Sequence, residues 1–248
     1  MKLAADLHIH STLSPCASLE MSPTAIVRRA RELSLDVIAV TDHNSVENGF
    51  TAAKLAEASG LKVLFGMEAQ TREDVHVLCL FEERGQAERF HGRIDALLPD
   101  VRNDPDFFGD QVVVDERENI VRHEEKLLLN ALDLSIPGLL ELAREHGGVC
   151  IPAHVEAPPF GLLVNLGMVP AELEGAVMEI SCSSRREQVL KAFPCLERHP
   201  LISSSDAHYL EDIGRARLVV ESSSPSLADL HAALRAGEFR VTYERAHG

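Results

Sequence analysis

Short runs of apolar residues recur along the chain, and longer segments with helical spacing separate them. This alternation is typical of βα units, in which helices connect the parallel strands of a sheet. We therefore predict an α/β fold with parallel strands. The runs that predict strands are residues 2–8, 37–41, 61–67, 76–81, 149–153, 176–180, 201–205, 217–221 and 239–242.

Residues that favour the beginnings and ends of helices lie between these runs. They predict one helix from Pro23, a second over 46–59 and a third over 138–146. The bounding residues are Ser22 before the first helix, Ser45 and Gly60 around the second, and Pro137 and Gly147 around the third.

Residues 99–136 interrupt the alternation and are rich in Asp and Glu. So long a connection predicts an insertion, which is either a functional lid or a solvated loop with no role. Phe107 and Phe108 are apolar residues that this segment could bury.

The length of 248 residues suits one α/β barrel built around one core. A hydrophobic content of 45% with only 4% aromatic residues fits an aliphatic interior of packed α/β layers. We predict a single domain over residues 1–248 that carries the insertion.

The formal net charge of -15 argues against a basic surface that follows a phosphate backbone. Duplex nucleic acid is therefore not an expected partner. An anionic substrate is still compatible with this charge, because bound divalent cations can dominate the local field of a site.

The five cysteines, at positions 16, 79, 150, 182 and 195, form no Cys-x-x-Cys pair, and their odd number leaves one unpaired. The first residues lack the apolar stretch of a signal peptide, and no run is long enough to span a membrane. We expect a cytoplasmic protein without a membrane partner.

Two His-containing motifs with the same spacing lie at the two ends of the chain. In Asp6-Leu-His8-Ile-His10 the i, i+2 spacing puts both imidazoles on one face at a strand end. Asp206 and His208 repeat the spacing after the run 201–205. Together the two pairs form a candidate set of metal ligands of mixed N and O type. Asp6 could orient an imidazole by accepting its free N–H.

Further candidate ligands follow other apolar runs. His43 and His154 come directly after the runs 37–41 and 149–153, at the carboxyl ends where βα barrels carry their active sites. We interpret His43 as a ligand and Asp42 as the residue that supports it, although Asp-His-Asn is also a common turn.

Glu68 follows Gly66 at another strand end, and its carboxylate is suited to bridging two hard cations. Alone, such a glutamate is more often an exposed turn residue. His76 differs because it begins its run. A reversed strand or a bulge would bring it to the shared face, and otherwise it is a hydrogen-bonded core histidine.

These motifs resemble those of the polymerase and histidinol phosphatase (PHP) family. The resemblance runs from residue 3 to beyond residue 214, and it implies a distorted (β/α)7 TIM-like barrel, two or three divalent cations and the hydrolysis of phosphate esters. It also implies that His76 is a ligand. The matching motifs are Asp6-x-His8-x-His10, Thr41-Asp42-His43, Gly66-x-Glu68, Pro152-Ala153-His154 and Ser205-Asp206-Ala207-His208.

The chain departs from that family shortly after His10, where many relatives have an Asp or a His. Here Glu20 is our predicted ligand of a third cation, reaching the site from a slightly longer loop. Cys16 is a softer alternative that would favour zinc over manganese. It is equally open that Glu20 only favours the dipole of the helix that follows it.

We expect a metal-activated hydroxide to attack phosphorus, which needs no covalent nucleophile. The cations would be manganese, zinc or iron. Arg185 and Lys126 are predicted phosphate contacts, although either could be an ordinary surface charge. The compatible substrates are a nucleotide, a short oligonucleotide end and histidinol phosphate, and the acidic surface favours something small.

Two other functions compete with this prediction. An amidohydrolase barrel also opens with His-x-His, but it typically bridges its metals with a strand-end lysine, and no such lysine is evident. A catalytically silent PHP module that binds metal as a scaffold is the second alternative, and the nearly complete set of ligands counts against it.

Overall fold

All nine predicted runs form strands in the computed structural model, which describes residues 1–243. Two further strands, β5 and β6, lie inside the insertion. The strands are β1 (Lys2–Ile9), β2 (Val37–Val40), β3 (Lys62–Gln70), β4 (His76–Phe81), β5 (Val112–Val114), β6 (Ile120–His123), β7 (Val149–Pro152), β8 (Met178–Glu179), β9 (Leu201–Ile202), β10 (Ala216–Glu221) and β11 (Phe239–Tyr243).

Eight α-helices connect or flank the strands in the described part of the chain. None of them is long and apolar enough to cross a membrane. The helices are α1 (Pro23–Glu32), α2 (Glu47–Ala56), α3 (Arg84–Leu97), α4 (Pro105–Phe108), α5 (Ile136–Glu145), α6 (Leu162–Leu166), α7 (Arg186–Ala192) and α8 (Leu227–Ala236).

The helix signals in the sequence are confirmed at two of three helices. Ser22 accepts a hydrogen bond from the Ala25 N–H and caps α1. Helix α5 has Pro137 in its first turn, but it begins two residues earlier than predicted, because Ser135 is its cap. The prediction that Ser45 caps α2 is wrong, since Val46 precedes that helix and provides no side-chain cap.

Seven of the strands, from two separate sheets, are arranged in a ring that a few backbone contacts complete. Strands β1, β2, β3, β4 and β7 are hydrogen-bonded neighbours, and β8 pairs with β9. The Val155 N–H donates to the Glu179 carbonyl and joins β7 to β8. The His10 N–H donates to the Ala207 carbonyl and joins the end of β9 to β1. This ring is the distorted (β/α)7 TIM-like barrel that the family resemblance implied.

The expectation that the strands are all parallel is wrong in part. Strands β1, β2 and β3 are parallel, but β4 runs antiparallel to both β3 and β7. The short connection over 71–75 makes a turn rather than a helical crossover, so the chain reverses direction there. The hairpin β10–β11 continues from β1 outside the ring, and it is antiparallel to β1 through β10.

Aliphatic side chains fill the barrel below its carboxyl-terminal rim. Residues from several ring strands join one buried cluster with helix α8, including Leu7, Val37, Leu64, Leu78 and Ile151. The packed interior is a rigid floor, so polar residues that follow the strands collect at the rim.

The insertion is more ordered than a loop. It contains α4 and the hairpin β5–β6, and the side chain of Asn48 in α2 bonds to the backbone of Val112 and Val114. The expectation that the insertion buries Phe107 is wrong, since its side chain is 79% exposed. The short helix α4, which carries it, has no buried residue. The single domain predicted over 1–248 stays a prediction, and residues 244–248 lie outside the described residues.

Candidate metal centre

Polar side chains from six ring strands meet at one rim of the barrel. Each follows or ends its strand, except that His76 begins β4. Because β4 is antiparallel to β3, the start of β4 lies beside the end of β3, and this reversal brings His76 to the shared face. We call these residues the rim cluster: His8, His10, His43, Glu68, His76, His154, Asp206 and His208.

Backbone pairing beyond the regular strands holds the cluster together. The Glu68 N–H donates to the Asp42 carbonyl and the Asn44 N–H donates to the Glu68 carbonyl, which places His43 beside Glu68. Gly66 allows β3 to pack closely against both neighbours, because a Cβ there would lie 2.9 Å from Cγ2 of Thr41 and 2.7 Å from the Leu80 side chain.

One end of the cluster contains two imidazoles and two carboxylates. The Nε2 atoms of His8 and His10 are 3.2 Å apart. Each lies 3.4 Å from Oδ1 of Asp206, and the Glu68 oxygens lie 3.3 Å and 3.4 Å from them. Four potential ligand side chains therefore face one small volume.

Glu68 is also the centre of the other end. Its Oε2 lies 3.2 Å from Nδ1 of His43, and its Oε1 lies 2.9 Å from Nδ1 of His76 and 3.0 Å from Nε2 of His154. The carboxylate is only 1% exposed. Glu68 thus belongs to two separate groups of three potential ligands, which is the arrangement expected of a bridging carboxylate.

The donor set fits divalent cations. Both ring nitrogens of His76 are buried: Nδ1 lies 2.9 Å from Oε1 of Glu68, and Nε2 has no hydrogen-bond partner among the described residues. Buried polar atoms without partners are costly, so an unpartnered ring nitrogen inside such a cluster indicates a ligand position. Imidazole and carboxylate together suit zinc, iron and manganese.

Two residues outside the cluster orient its imidazoles. The Nδ1–H of His8 donates to Glu179 over 2.8 Å, so Nε2 is the nitrogen that faces the cluster. The Oγ of Ser14 lies 2.9 Å from Nδ1 of His10 and donates to Asp42, so it accepts the Nδ1–H of His10. Sequence reasoning missed both residues. The position of Glu179 in a predicted strand run was a signal that could have found it.

The roles predicted for the two aspartates need correction. Asp6 accepts the backbone N–H groups of Ser205 and Gly214 rather than an imidazole N–H, and burial raises its pKa to about 6. Asp42 does not contact His43 directly. It accepts from Ser11 and Ser14, and it supports the histidines through Ser14.

The cluster residues determine one another's charge. Burial opposes a charge on His8, but Glu179 and two further carboxylates raise its pKa well above the ordinary value. Burial and a neighbouring imidazole lower the pKa of His10 to about 4. Burial opposes ionisation of Glu68, but the imidazoles around it lower its pKa well below the ordinary value. A neutral His10 and an ionised Glu68 are the forms that bind a cation.

The backbone is strained at three positions of the rim. Asn44, His154 and Asp206 have positive φ angles of 49°, 31° and 50°. Residues other than glycine are uncommon in this region, and they persist there only where the surrounding structure imposes it. The strain at or beside three candidate ligands is typical of a functional site.

Glu20 and Cys16 have different surroundings. Glu20 lies away from the rim cluster and lines another cavity with Ser22 and Arg28. Its predicted role as a ligand therefore has no support in the structure, because the residue is exposed and is absent from the lining of the cavity at the rim cluster. Cys16 lines the cavity of the rim cluster beside His208.

A cavity of about 600 Å³ opens onto the rim cluster. Leu129, Pro158, Pro159 and Phe160 form its apolar side, and the Phe160 ring stacks on His76 with centroids 4.2 Å apart. Within residues 1–243 no lysine or arginine lines this cavity.

The two predicted phosphate contacts therefore lie elsewhere. Lys126 donates to the carboxylate and carbonyl of Asp95 at a different cavity. Arg185 is exposed and precedes α7, while only Ser181 and Ser183 of its loop reach the site.

Two family models match the chain. The PHP domain model matches residues 6–157, and a model described as PHP-associated matches residues 198–239. Together they cover the strands that carry the rim cluster.

Individual relatives match in sequence over shorter stretches. An uncharacterized protein of Methanocaldococcus jannaschii is 34% identical over 80 residues, which are 29% of this chain and 46% of that protein. The PolC-type DNA polymerase III of Oceanobacillus iheyensis is 36% identical over 73 residues, which are 29% of this chain and 5% of the polymerase. The chain thus spans less than half the length of these relatives.

The fold also resembles that of a lesion-specific endonuclease, EndoQ, from Pyrococcus furiosus. The TM-score is 0.74 at 18% sequence identity, over 97% of this chain and 58% of the endonuclease. A likeness at this identity supports the architecture of the barrel.

Proposed function

The chain belongs to the PHP domain family, and we propose that it is a metal-dependent phosphoesterase that hydrolyses a small phosphate ester. The observation that carries this proposal is the convergence of six histidines on Glu68 and Asp206, with one buried ring nitrogen, Nε2 of His76, that has no hydrogen-bond partner within residues 1–243.

The rim cluster has the ligands for two neighbouring cations that share Glu68. His8, His10 and Asp206 would hold one cation, and His43, His76 and His154 lie around the other side of the same carboxylate. Bound divalent cations would activate water and neutralise the charge that develops on a phosphate. Glu179 and Ser14 would keep the free nitrogens of His8 and His10 directed inward.

We propose that the cavity binds a substrate with one phosphate group and an apolar or aromatic moiety. Because no lysine or arginine lines the cavity within residues 1–243, the cations are the only positive charges that would bind the phosphate. The apolar side formed by Leu129, Pro158 and Phe160 suits a nucleobase or an imidazole ring. Nucleotides and histidinol phosphate-like esters therefore remain our proposed substrates.

A short oligonucleotide end is the second candidate substrate. Its support is that two similar proteins are a DNA polymerase and a lesion-specific endonuclease. The net charge of -15 argues against extended contacts with a duplex, so we propose binding of a terminal nucleotide rather than a long strand.

The competing amidohydrolase function lacks its bridging lysine at the rim. Four lysines instead form ion pairs with carboxylates outside the cluster, and Glu68 occupies the central position. The pairs are Lys2 with Glu221, Lys54 with Glu116, Lys62 with Glu82 and Lys126 with Asp95.

We also propose a cytoplasmic location. All five cysteines are free, which suits a reducing compartment. Even Cys79 and Cys150, which are cross-strand neighbours with sulfurs 3.8 Å apart, form no disulfide.

A metal-reconstitution screen tests the function. The metal-free protein is loaded with manganese, zinc or iron, bound metal is counted, and hydrolysis of nucleotides, histidinol phosphate and short oligonucleotides is measured. We expect turnover of at least one phosphomonoester only in the loaded protein. Full metal occupancy without turnover on any of these substrates would favour the catalytically silent scaffold instead.

A further inference from the structure

Cys16 lies among the histidines at the outer side of the rim cluster. Its sulfur and one ring nitrogen each of His10, His43 and His208 all lie within 4.8 Å of one another. This group does not include Glu68, although it shares His10 with one of the two Glu68 groups and His43 with the other. It is the one group that contains sulfur among those found in residues 1–243.

Backbone contacts on both sides hold the Cys16 loop against the cluster. On one side the Ala17 N–H donates to the Ser14 carbonyl, and the Ser18 N–H donates to the His208 carbonyl. On the other side Gly109 of the insertion packs so closely that a Cβ there would lie 2.3 Å from the Pro15 carbonyl oxygen. The insertion thus helps to place Cys16 at the cavity.

His10 is already committed to the other end of the cluster. Its Nδ1–H is bonded to Ser14, and its Nε2 faces His8 at 3.2 Å. Cys16 and His208 belong to the outer group alone, and His43, whose Nδ1 lies 3.2 Å from Oε2 of Glu68, is shared with the group around that carboxylate. Zinc sites with catalytic roles commonly have three protein ligands and one open position.

We propose that Cys16 binds a divalent cation as a thiolate, together with His43 and His208, in a site distinct from the two around Glu68. This inference rests on the proposed metal-dependent function. On binding, the S–H bond breaks, a sulfur–metal bond forms and the proton passes to bulk water. Because thiolate is a soft ligand, this site selects zinc over manganese, whereas the carboxylate-bridged sites accept both.

The metal content of the centre then depends on which cation is supplied. A protein supplied with manganese alone would fill the sites around Glu68 and leave the thiolate site mostly empty. A protein supplied with zinc would fill all of them. The cavity also exposes Cys16 to solvent, so a thiol reagent can reach it when the site is empty.

Cobalt(II) is the probe for the test, because thiolate ligation of cobalt produces an intense near-ultraviolet charge-transfer band. The metal-free wild-type protein is compared with Cys16→Ser and with Cys195→Ser, whose exposed cysteine lies in the turn Pro194–Arg198. We expect the band in the wild type and in Cys195→Ser. We expect Cys16→Ser to lack the band and to bind one cobalt ion fewer per chain.

The outcomes separate this inference from the proposed function. Cobalt binding without a band in the wild type, or a band that survives Cys16→Ser, overturns the thiolate ligand and leaves the phosphoesterase proposal intact. A wild type that binds no cobalt overturns both.

A second measurement on the unmodified chain covers the case in which Cys16→Ser does not fold. Alkylation of the wild type by iodoacetamide is mapped by mass spectrometry with and without zinc. We expect zinc to protect Cys16 several-fold and to leave Cys195 unchanged. Equal labelling of Cys16 in both conditions overturns the inference.

Discussion

Charged side chains have opposite surroundings in the insertion and in the rim cluster. In the insertion Arg122 contacts Glu47 and Glu124, and Lys126 contacts Asp95 over 3.0 Å, all at the protein surface. In the rim cluster a carboxylate that is 1% exposed is surrounded by imidazoles, and Nε2 of His76 has no hydrogen-bond partner within residues 1–243.

The difference is a matter of solvation. Exposed charges are satisfied by water, so their ion pairs contribute little to stability and need no ligand. Buried polar groups lose that water and must be satisfied by each other or by a bound ion. The acidic insertion was the more conspicuous feature of the sequence, but the function we propose lies in the cluster.

The largest effect is expected for Glu68→Gln. Because Glu68 faces both groups of ligands, its loss should reduce metal affinity and turnover by more than about 100-fold. That is more than the loss of a residue that only orients a ligand, which typically costs about 10- to 100-fold. It should also abolish the rise in Tm that saturating zinc produces in the wild type. Metal counting, phosphoesterase kinetics and thermal unfolding measure these effects.

Glu125→Gln is the matched control, because Glu125 is an exposed carboxylate of the insertion. It should behave like the wild type in all three measurements. An active, metal-loaded Glu68→Gln would show that the burial of this carboxylate is structural only.

A smaller effect is expected at Glu179, which contacts the cluster only through His8. Glu179→Leu removes the acceptor for the His8 Nδ1–H, and we expect metal affinity or kcat/KM to fall about 10- to 100-fold. Glu179→Gln keeps an acceptor oxygen and should recover part of the loss.

Metal affinity separates this positioning role from a loss of packing. Equal metal affinity in Glu179→Leu and the wild type would contradict it. Glu197→Gln, on an exposed turn, is the control for the loss of a carboxylate elsewhere.

The smallest effect is expected for Lys126→Ala. Lys126 bonds to Asp95 away from the rim, so kcat/KM should stay within about twofold of the wild-type value. The free energy of unfolding should change by no more than about 1 kcal/mol, as for other surface ion pairs. A large loss of kcat/KM with unchanged metal content would restore Lys126 as a phosphate contact and weaken the contrast between the two regions.

Local pattern was sufficient for most of the strands and for the position of most candidate ligands. His43, His154 and Asp206 come directly after apolar runs, and parallel ring strands bring such positions to one rim whatever the details of packing. The placement of Glu68 at a strand end could be predicted for the same reason, and so could the cap of α1 at Ser22.

Contacts between distant segments could not be predicted in this way. Glu179 is 171 positions from His8, and Ser14 acts only because Asp42 and His10 lie on either side of it. Cys16 and Glu20 lie in one loop, and only the packing of that loop against Gly109 and His208 separates the residue at the cavity from the one outside it.

The sequence by itself thus determined the α/β class, the strand order along the chain and the chemical type of the site, because periodicity and residue type are local properties. Only the tertiary structure decided that β4 is reversed, that His76 therefore reaches Glu68, and that the thiol of Cys16 lies beside the outer histidines. Those outcomes depend on which buried polar atoms find partners once the ring closes, and that is a property of the whole fold.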